Sequence, residues 1–224
     1  MVAEAHGGSA EVIYAALQQR ILNGEIPQGD RLVVRAYAQE FGTSDLPVRE
    51  AIRKLEADGL VESHRNRGAR VRKLSPQEIP GTYIVRGELE GLATRLAGPY
   101  LTDDDLDDLN QLNDEMKTTA SKGEPADYYR LNHRFHKLIF SRCPFPEVTD
   151  TINRIWDGQT AFGVVFSMDV HRMEISIAEH DAIINDLVAQ EWDSAGNRAR
   201  DHKTSVARSL LRSMDMELPR ELRT

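Results

Sequence analysis

Four residues have the types and spacing that hold a divalent cation. Asn132 and His136 stand four apart, so on a helix both side chains project from one face. His180 and His202 fall in two later segments with helical periodicity. Three imidazoles and one oxygen donor, delivered by three helices, can converge on an ion and leave a position open for a further ligand. His6, His64, His133 and His171 read as ordinary surface or core residues. A second group is basic. Arg49 and Arg53 lie four apart, and Arg65, Arg67, Arg70, Arg72 and Lys73 share one stretch that contains no acid. A solvated edge would account for that stretch, but beside a suitable reading helix it is the pattern of a surface that meets phosphate.

The elements that must carry the basic group occupy the first third. Residues 9–23 form a predicted helix with Ile13, Leu17 and Ile21 on one face, closed by Asn23-Gly24. A short helix, Val33 to Phe41, leads through Gly42-Thr43 into a second, which runs from an N-cap at Ser44 to about Asp58. There Val48, Ile52 and Leu55 make an apolar face, Pro47 sits in the first turn and Gly59 follows the end. Leu60 to Ser63 and Ala69 to Lys73 then read as two short strands, with Gly68 supplying a positive φ between them. Three helices followed by a two-stranded ribbon make a winged helix-turn-helix, whose second helix enters the major groove of DNA.

Ser75-Pro76 marks a boundary between domains 1–75 and 76–224, with Ser75 placed to cap the next helix. Helical patterns cover roughly 77–98, 103–121, 125–141, 145–167, 170–190 and 194–214, separated by Gly98-Pro99, Gly123-Glu124-Pro125 and Cys143-Pro144-Phe145-Pro146. Thr102 before Asp103, Asp104 and Asp105 is an N-cap with acids set against the helix dipole. The fold expected is mainly α: a winged helix-turn-helix followed by an antiparallel bundle of six to seven helices. The aromatics Trp156, Phe162 and Phe166 read as bundle core, and residues 217–224 as a frayed end.

Composition narrows the class. The chain has 224 residues, 40% apolar and 29% charged, as in ordinary globular proteins. It lacks an apolar run of about 18 residues, which argues against a membrane span. Residues 1–10 lack the apolar segment of a signal peptide and read as a loose tail. The single Cys143 leaves no internal disulfide and fits a reducing cytoplasm. The net charge is −8, yet residues 1–75 carry 11 basic against 10 acidic side chains. Only one small surface is suited to a polyanion.

The sequence resembles the GntR family of bacterial transcription regulators, in the FadR-like subgroup with an all-helical FCD second half. The resemblance rests on Gly24-Glu25-Ile26-Pro27-Gln28-Gly29-Asp30-Arg31-Leu32, on Pro47-Val48-Arg49-Glu50-Ala51-Ile52-Arg53-Lys54-Leu55, and on Asp58-Gly59-Leu60-Val61 and Arg67-Gly68-Ala69-Arg70-Val71. It continues in Val85-Arg86-Gly87-Glu88-Leu89-Glu90, Asn132-His133-Arg134-Phe135-His136, Glu179-His180-Asp181-Ala182-Ile183-Ile184, and His202. It implies that Arg35, Ser44, Asp45, Arg49, Arg53, Arg65, Arg67 and Gly68 fall where family members touch operator DNA. It also implies that Asn132, His136, His180 and His202 hold a metal ion, with zinc the default for such a site and nickel, manganese or iron open. Arg86 would point into an effector cavity and clamp a carboxylate, or else pair with Glu90 one turn on. Asn153 is a further candidate for the cavity wall.

Two departures from the family pattern stand out. Asp45 replaces the usual basic residue, which weakens DNA binding unless its carboxylate accepts from a cytosine N4 group. Asn132 replaces the usual Asp, so the donor set is neutral and an anionic ligand on the ion is favoured. The function implied is a homodimeric repressor, not an enzyme, that binds double-stranded operator DNA under the control of a small organic acid. The alternatives are a metal-dependent hydrolase or lyase, against which no HExxH pairing or poised general base is evident, and a regulator whose metal is purely structural.

Overall fold

The computed structural model describes residues 9–64, 68–73, 75, 77–157, 166 and 171–223. Internal contacts divide the described residues into two compact units, 9–73 and, from 75 on, the helical remainder.

In the first unit α1 (Ala10–Leu22) starts at Ser9, whose hydroxyl accepts from the Val12 amide at 3.4 Å. Its Ile13, Leu17 and Ile21 are fully buried, and the helix packs on α3 (Asp45–Ala57), which buries Val48, Ala51 and Leu55. Between them lies α2 (Val34–Glu40), whose Ala38 is buried. Ser44 occupies the N-cap of α3, where the sequence placed it, in an extended conformation, but its hydroxyl makes no capping bond. Pro47 explains why: a cap side chain binds the amide at the second or third helical position, and the third position here has no N–H. Asp45 in the first turn meets the helix dipole instead.

The sheet has three strands, β1 (Arg31–Leu32), β2 (Val61–His64) and β3 (Gly68–Val71), in the antiparallel order β1-β3-β2. Two residues are too few for β1 to show as a pattern, so the sequence revealed only the other two strands. Gly68 has φ +76, as its place in the turn required, and a Cβ there would lie 3.2 Å from the Arg31 guanidine. Arg65 and Arg67 lie outside the described residues, as does the tail 1–8.

Among the described residues the second unit holds α4 (Glu78–Ala97), α5 (Asp103–Lys122), α6 (Pro125–Ser141), α7 (Pro146–Asp157), α8 (His171–Val188) and α9 (Trp192–Ser213). Phe162 falls outside the described residues, while Phe166 is buried with its ring 4.7 Å from that of Tyr128. Thr102 and Asp105 form a reciprocal capping box at the start of α5, and the Asp105 carboxylate also takes two bonds from Arg142 at the end of α6. Gly123 closes α5 with φ +68. Two sequence readings are corrected. Ser75 donates to the Gln77 side chain instead of capping α4. The segment after residue 217 is not frayed: a 3-10 turn over Arg220–Leu222 buries Leu222 completely, and that burial anchors it.

Helices α4 and α9 run antiparallel in backbone contact. A Cβ on Gly91 would lie 2.6 Å from the Gly196 carbonyl oxygen, and one on Gly196 would lie 2.8 Å from the Gly91 oxygen. Gly87 faces the Arg200 carbonyl in the same seam. Glycine is required here because any side chain would force the helices apart. No described helix is long and apolar enough to cross a membrane.

Candidate nucleic-acid face and metal centre

In the first unit the apolar side of α3 faces its core and the charged side faces outward. Arg35, Arg49 and Arg53 are exposed, and with Arg31 and Gly68 they line a groove of about 460 Å³. Ser44 is exposed beside it. The sequence reading missed Arg31, although it belongs to one of the quoted motifs, because its strand is so short. Arg70 is otherwise engaged, donating to the Gly29 carbonyl at 2.8 Å. Asp45 lies 3.7 Å from Arg49, one turn on. Both side chains are about half exposed, so the pair adds little stability, roughly 0–1 kcal/mol. Its effect is to neutralise one of the groove's cations.

In the second unit α6, α8 and α9 bring His136, His180 and His202 together. All three are buried, and one ligand atom from each lies within 4.8 Å of the others. Ring centroids are 5.1 Å apart for His136 with His180, 5.1 Å for His136 with His202 and 4.8 Å for His180 with His202. Among the described residues, neither ring nitrogen of His180 has a hydrogen-bond partner, and neither does Oδ1 of the buried Asn132, one turn before His136. Buried polar atoms without partners are costly unless something supplies the missing contact. A divalent cation accepting these lone pairs fits that donor set: nitrogen and neutral oxygen ligands, with no carboxylate among them.

Charged residues surround the cluster. Glu179 Oε2 lies 2.6 Å from His202 Nδ1, and the same oxygen pairs with the fully buried Arg172, which also donates to Ser176 and Ser205. On the other side Glu90, 1% exposed, accepts from Arg86 Nε at 2.9 Å and Trp156 Nε1 at 2.8 Å, and lies 3.0 Å from Lys203 Nζ. Arg86 therefore makes the intrahelical pair with Glu90, while its guanidinium lies 5.0 Å from the Trp156 ring. Trp156 is more than packing, since it also stands edge-on to His136 at 6.0 Å. Asn153, on the same helix, is exposed. It is not among the groups around the cluster.

Burial, and then the positive charge of Lys203, holds the His136 ring well below its usual pKa. Burial and the neighbouring His202 do the same for His180. Burial and Lys203 lower His202 to about 4, against the opposing pull of Glu179. Burial would raise Glu179, but the bond from His202 and the charge of Arg172 bring it down to about 2. All three rings are therefore held neutral near pH 7, the state in which imidazole ligates metals. Lys203 falls to about 8 through burial, opposed by Glu90.

Residues 82–205 match the FCD domain, and residues 9–71 match the bacterial regulatory proteins of the gntR family. The chain belongs to the GntR family. Among its relatives is the HTH-type transcriptional regulator YdhC of Bacillus subtilis, 27% identical over 190 residues, 84% of this chain and 85% of that protein. The HTH-type transcriptional repressor RspR of Escherichia coli is 23% identical over 198 residues, 88% of this chain and 87% of its own. The fold is also that of Escherichia coli McbR/YncC, with a TM-score of 0.67 and 21% identity, covering 95% of this chain and 97% of that one.

As a GntR-family DNA-binding regulator, the protein has a basic groove in one unit and a three-histidine group in the other. Sequence reasoning picked out the three histidines and the pairing of Arg86 with Glu90, but not the contact of Glu90 with Lys203 nor the roles of Arg172, Glu179 and Trp156. Glu179 and Lys203 adjoin His180 and His202 in the chain, yet neighbours on a helix point about 100° apart. Glu179 accordingly serves His202 on another helix, and Lys203 reaches His136.

Proposed function

We propose that this GntR-family protein is a homodimeric repressor, acting in the cytoplasm, whose hold on operator DNA is set by a small organic acid bound at a divalent metal in the helical unit. The observation that carries the reading is the buried group of His136, His180 and His202, with the His180 nitrogens and Asn132 Oδ1 lacking partners among the described residues. Those three rings, with Asn132, would hold the ion; zinc is the default, and nickel, manganese or iron fit the same donors. When bound, the ion supplies a Lewis-acid anchor for a carboxylate oxygen. His180, His202 and His136 present neutral nitrogens, and Glu179 keeps the His202 ring in its tautomer and orientation. The neutral donors leave the charge of the ion uncompensated, which favours an anionic ligand. Arg86 joins that ligand only by sharing its contact with Glu90.

In the DNA-binding unit Arg35, Arg49 and Arg53, with Arg31 and the wing through Arg65, Arg67 and Gly68, would face phosphate and base edges. Ser44 and Asp45 start the reading helix. A twofold dimer matches two such units to the half-sites of a pseudo-palindrome. The acid would change operator affinity through a coupling of roughly 1–3 kcal/mol. The test is binding to the protein's own upstream DNA by gel shift, with and without added Zn2+ and a panel of small carboxylates. Loss of the complex on adding one acid with Zn2+ is the result expected. An unchanged complex across the whole panel would remove the effector from this account, and no complex at all would remove the operator.

A further inference from the structure

The side chain of Lys203, 4% exposed, stands between two partners. Its Nζ lies 3.0 Å from His136 Nε2 and 3.0 Å from Glu90 Oε2, and 5.6 Å from the centre of the Trp156 ring. An ammonium group has donors and no acceptor, so the lone pair on His136 Nε2 is the accepting site. A lone pair that accepts this bond is not free to bind a cation. The three rings therefore differ: both His180 nitrogens are unengaged among the described residues, His202 is held at Nδ1 by Glu179, and His136 is engaged by Lys203 at Nε2.

We propose that Lys203 is an internal competitor for the metal, its ammonium and a divalent ion claiming the same lone pair of His136. The inference rests on the three-histidine reading of the preceding subsection. For His136 to act as a ligand through Nε2, Lys203 must turn away, and Glu90 already provides the acceptor that receives it. The exchange needs only rotation about side-chain bonds, because Glu90 and Lys203 lie on the two helices joined at the glycine seam. Charge points the same way. Asn132 brings no anion to the donor set, so an ion there shares a buried space with Lys203 and Arg86, which have Glu90 as their common counter-charge. An anion arriving with the ion relieves that crowding. Removing the ammonium alone should strengthen metal binding even without the anion.

The experiment is a titration of metal-stripped, full-length protein with Zn2+ against a chromophoric chelator, comparing wild type with Lys203→Met. Tighter binding in the variant, by about ten- to a hundredfold, the size of effect that groups just outside a metal site exert, is the result expected. Because Lys203→Met leaves Glu90 with one cation fewer, the double variant Glu90→Gln with Lys203→Met is measured beside it, and circular dichroism checks that both keep the helical content. Equal or weaker affinity in both folded variants overturns the inference. His180→Ala separates the two levels of the argument. If wild type binds Zn2+, His180→Ala does not, and Lys203→Met binds as wild type does, the competitor falls and the metal site stands. If no form binds Zn2+, both fall.

Discussion

Glu179 Oε2 lies 2.6 Å from His202 Nδ1, and because an ionised carboxylate only accepts, the proton between them belongs to the ring. That fixes the tautomer and leaves the Nε2 lone pair of His202 as its free donor. Glu179→Gln should keep the fold but loosen this hold, weakening Zn2+ binding by roughly ten- to a hundredfold. Chelator competition measures it directly. An unchanged affinity would show that Glu179 serves Arg172 alone.

The histidines also set how the metal-free protein responds to acid. His202 is lowered to about 4, and His136 and His180 lie well below their usual value, so between that value, 6.5, and the folded one the unfolded chain binds more protons than the native state. Stability therefore rises with pH in that window and is lost as pH falls from about 6.5. The slope approaches about 1.4 kcal/mol per pH unit for each ring. Urea unfolding of metal-free protein at pH 7.5 and 5.5 should show this loss, and His180→Leu should make it shallower. Equal slopes for wild type and variant would contradict the buried neutral state of His180.

Asp45 places a carboxylate at the start of the reading helix, 3.7 Å from Arg49. Asp45→Asn releases Arg49 and removes a negative charge from the surface proposed to face phosphate. Affinity for the protein's own upstream DNA should rise by about fivefold, roughly 1 kcal/mol, and the salt dependence should steepen. Fluorescence anisotropy at two salt concentrations reads both. Weaker binding by the variant would mean that Asp45 contacts a base directly, as an acceptor from cytosine does.

Gly91→Ala adds a methyl group where the Gly196 carbonyl stands 2.6 Å away. The overpacking should cost about 1–3 kcal/mol in a chemical denaturation experiment. Gly81, earlier on the same helix, is exposed, and a methyl group added there would meet no heavy atom within 4 Å. Gly81→Ala should therefore be neutral or slightly stabilising. Equal effects at the two positions would rule out the close crossing.

Much of the architecture was legible because it is written locally. The periodicity of Ile13, Leu17 and Ile21, the Thr102 cap and the glycines after Asp58 and Lys122 each declare an element by its own residues. The histidines were legible for a different reason: imidazoles are few, and their spacing suits helices. The charges around them were not. Glu90 looked like a partner of Arg86 alone, and only the crossing of α4 with α9 brings Lys203 to the same carboxylate. Ser44 misled because a good capping residue needs an amide to cap, and Pro47 removes one of the two within reach. Leu222 misled because a terminus reads as loose until one of its apolar side chains finds a hole.

The glycine seam has a consequence for how this protein could respond to a ligand. With Gly91 and Gly196 touching main chain to main chain, neither helix can shift along the other without collision, so Glu90 and Lys203 keep a common frame. A ligand bound as proposed at the histidine group could re-sort which ion each of them faces without drawing them apart. This part of the helical unit is thereby fixed in its scaffold, and an exchange of partners there would involve side-chain rotation alone.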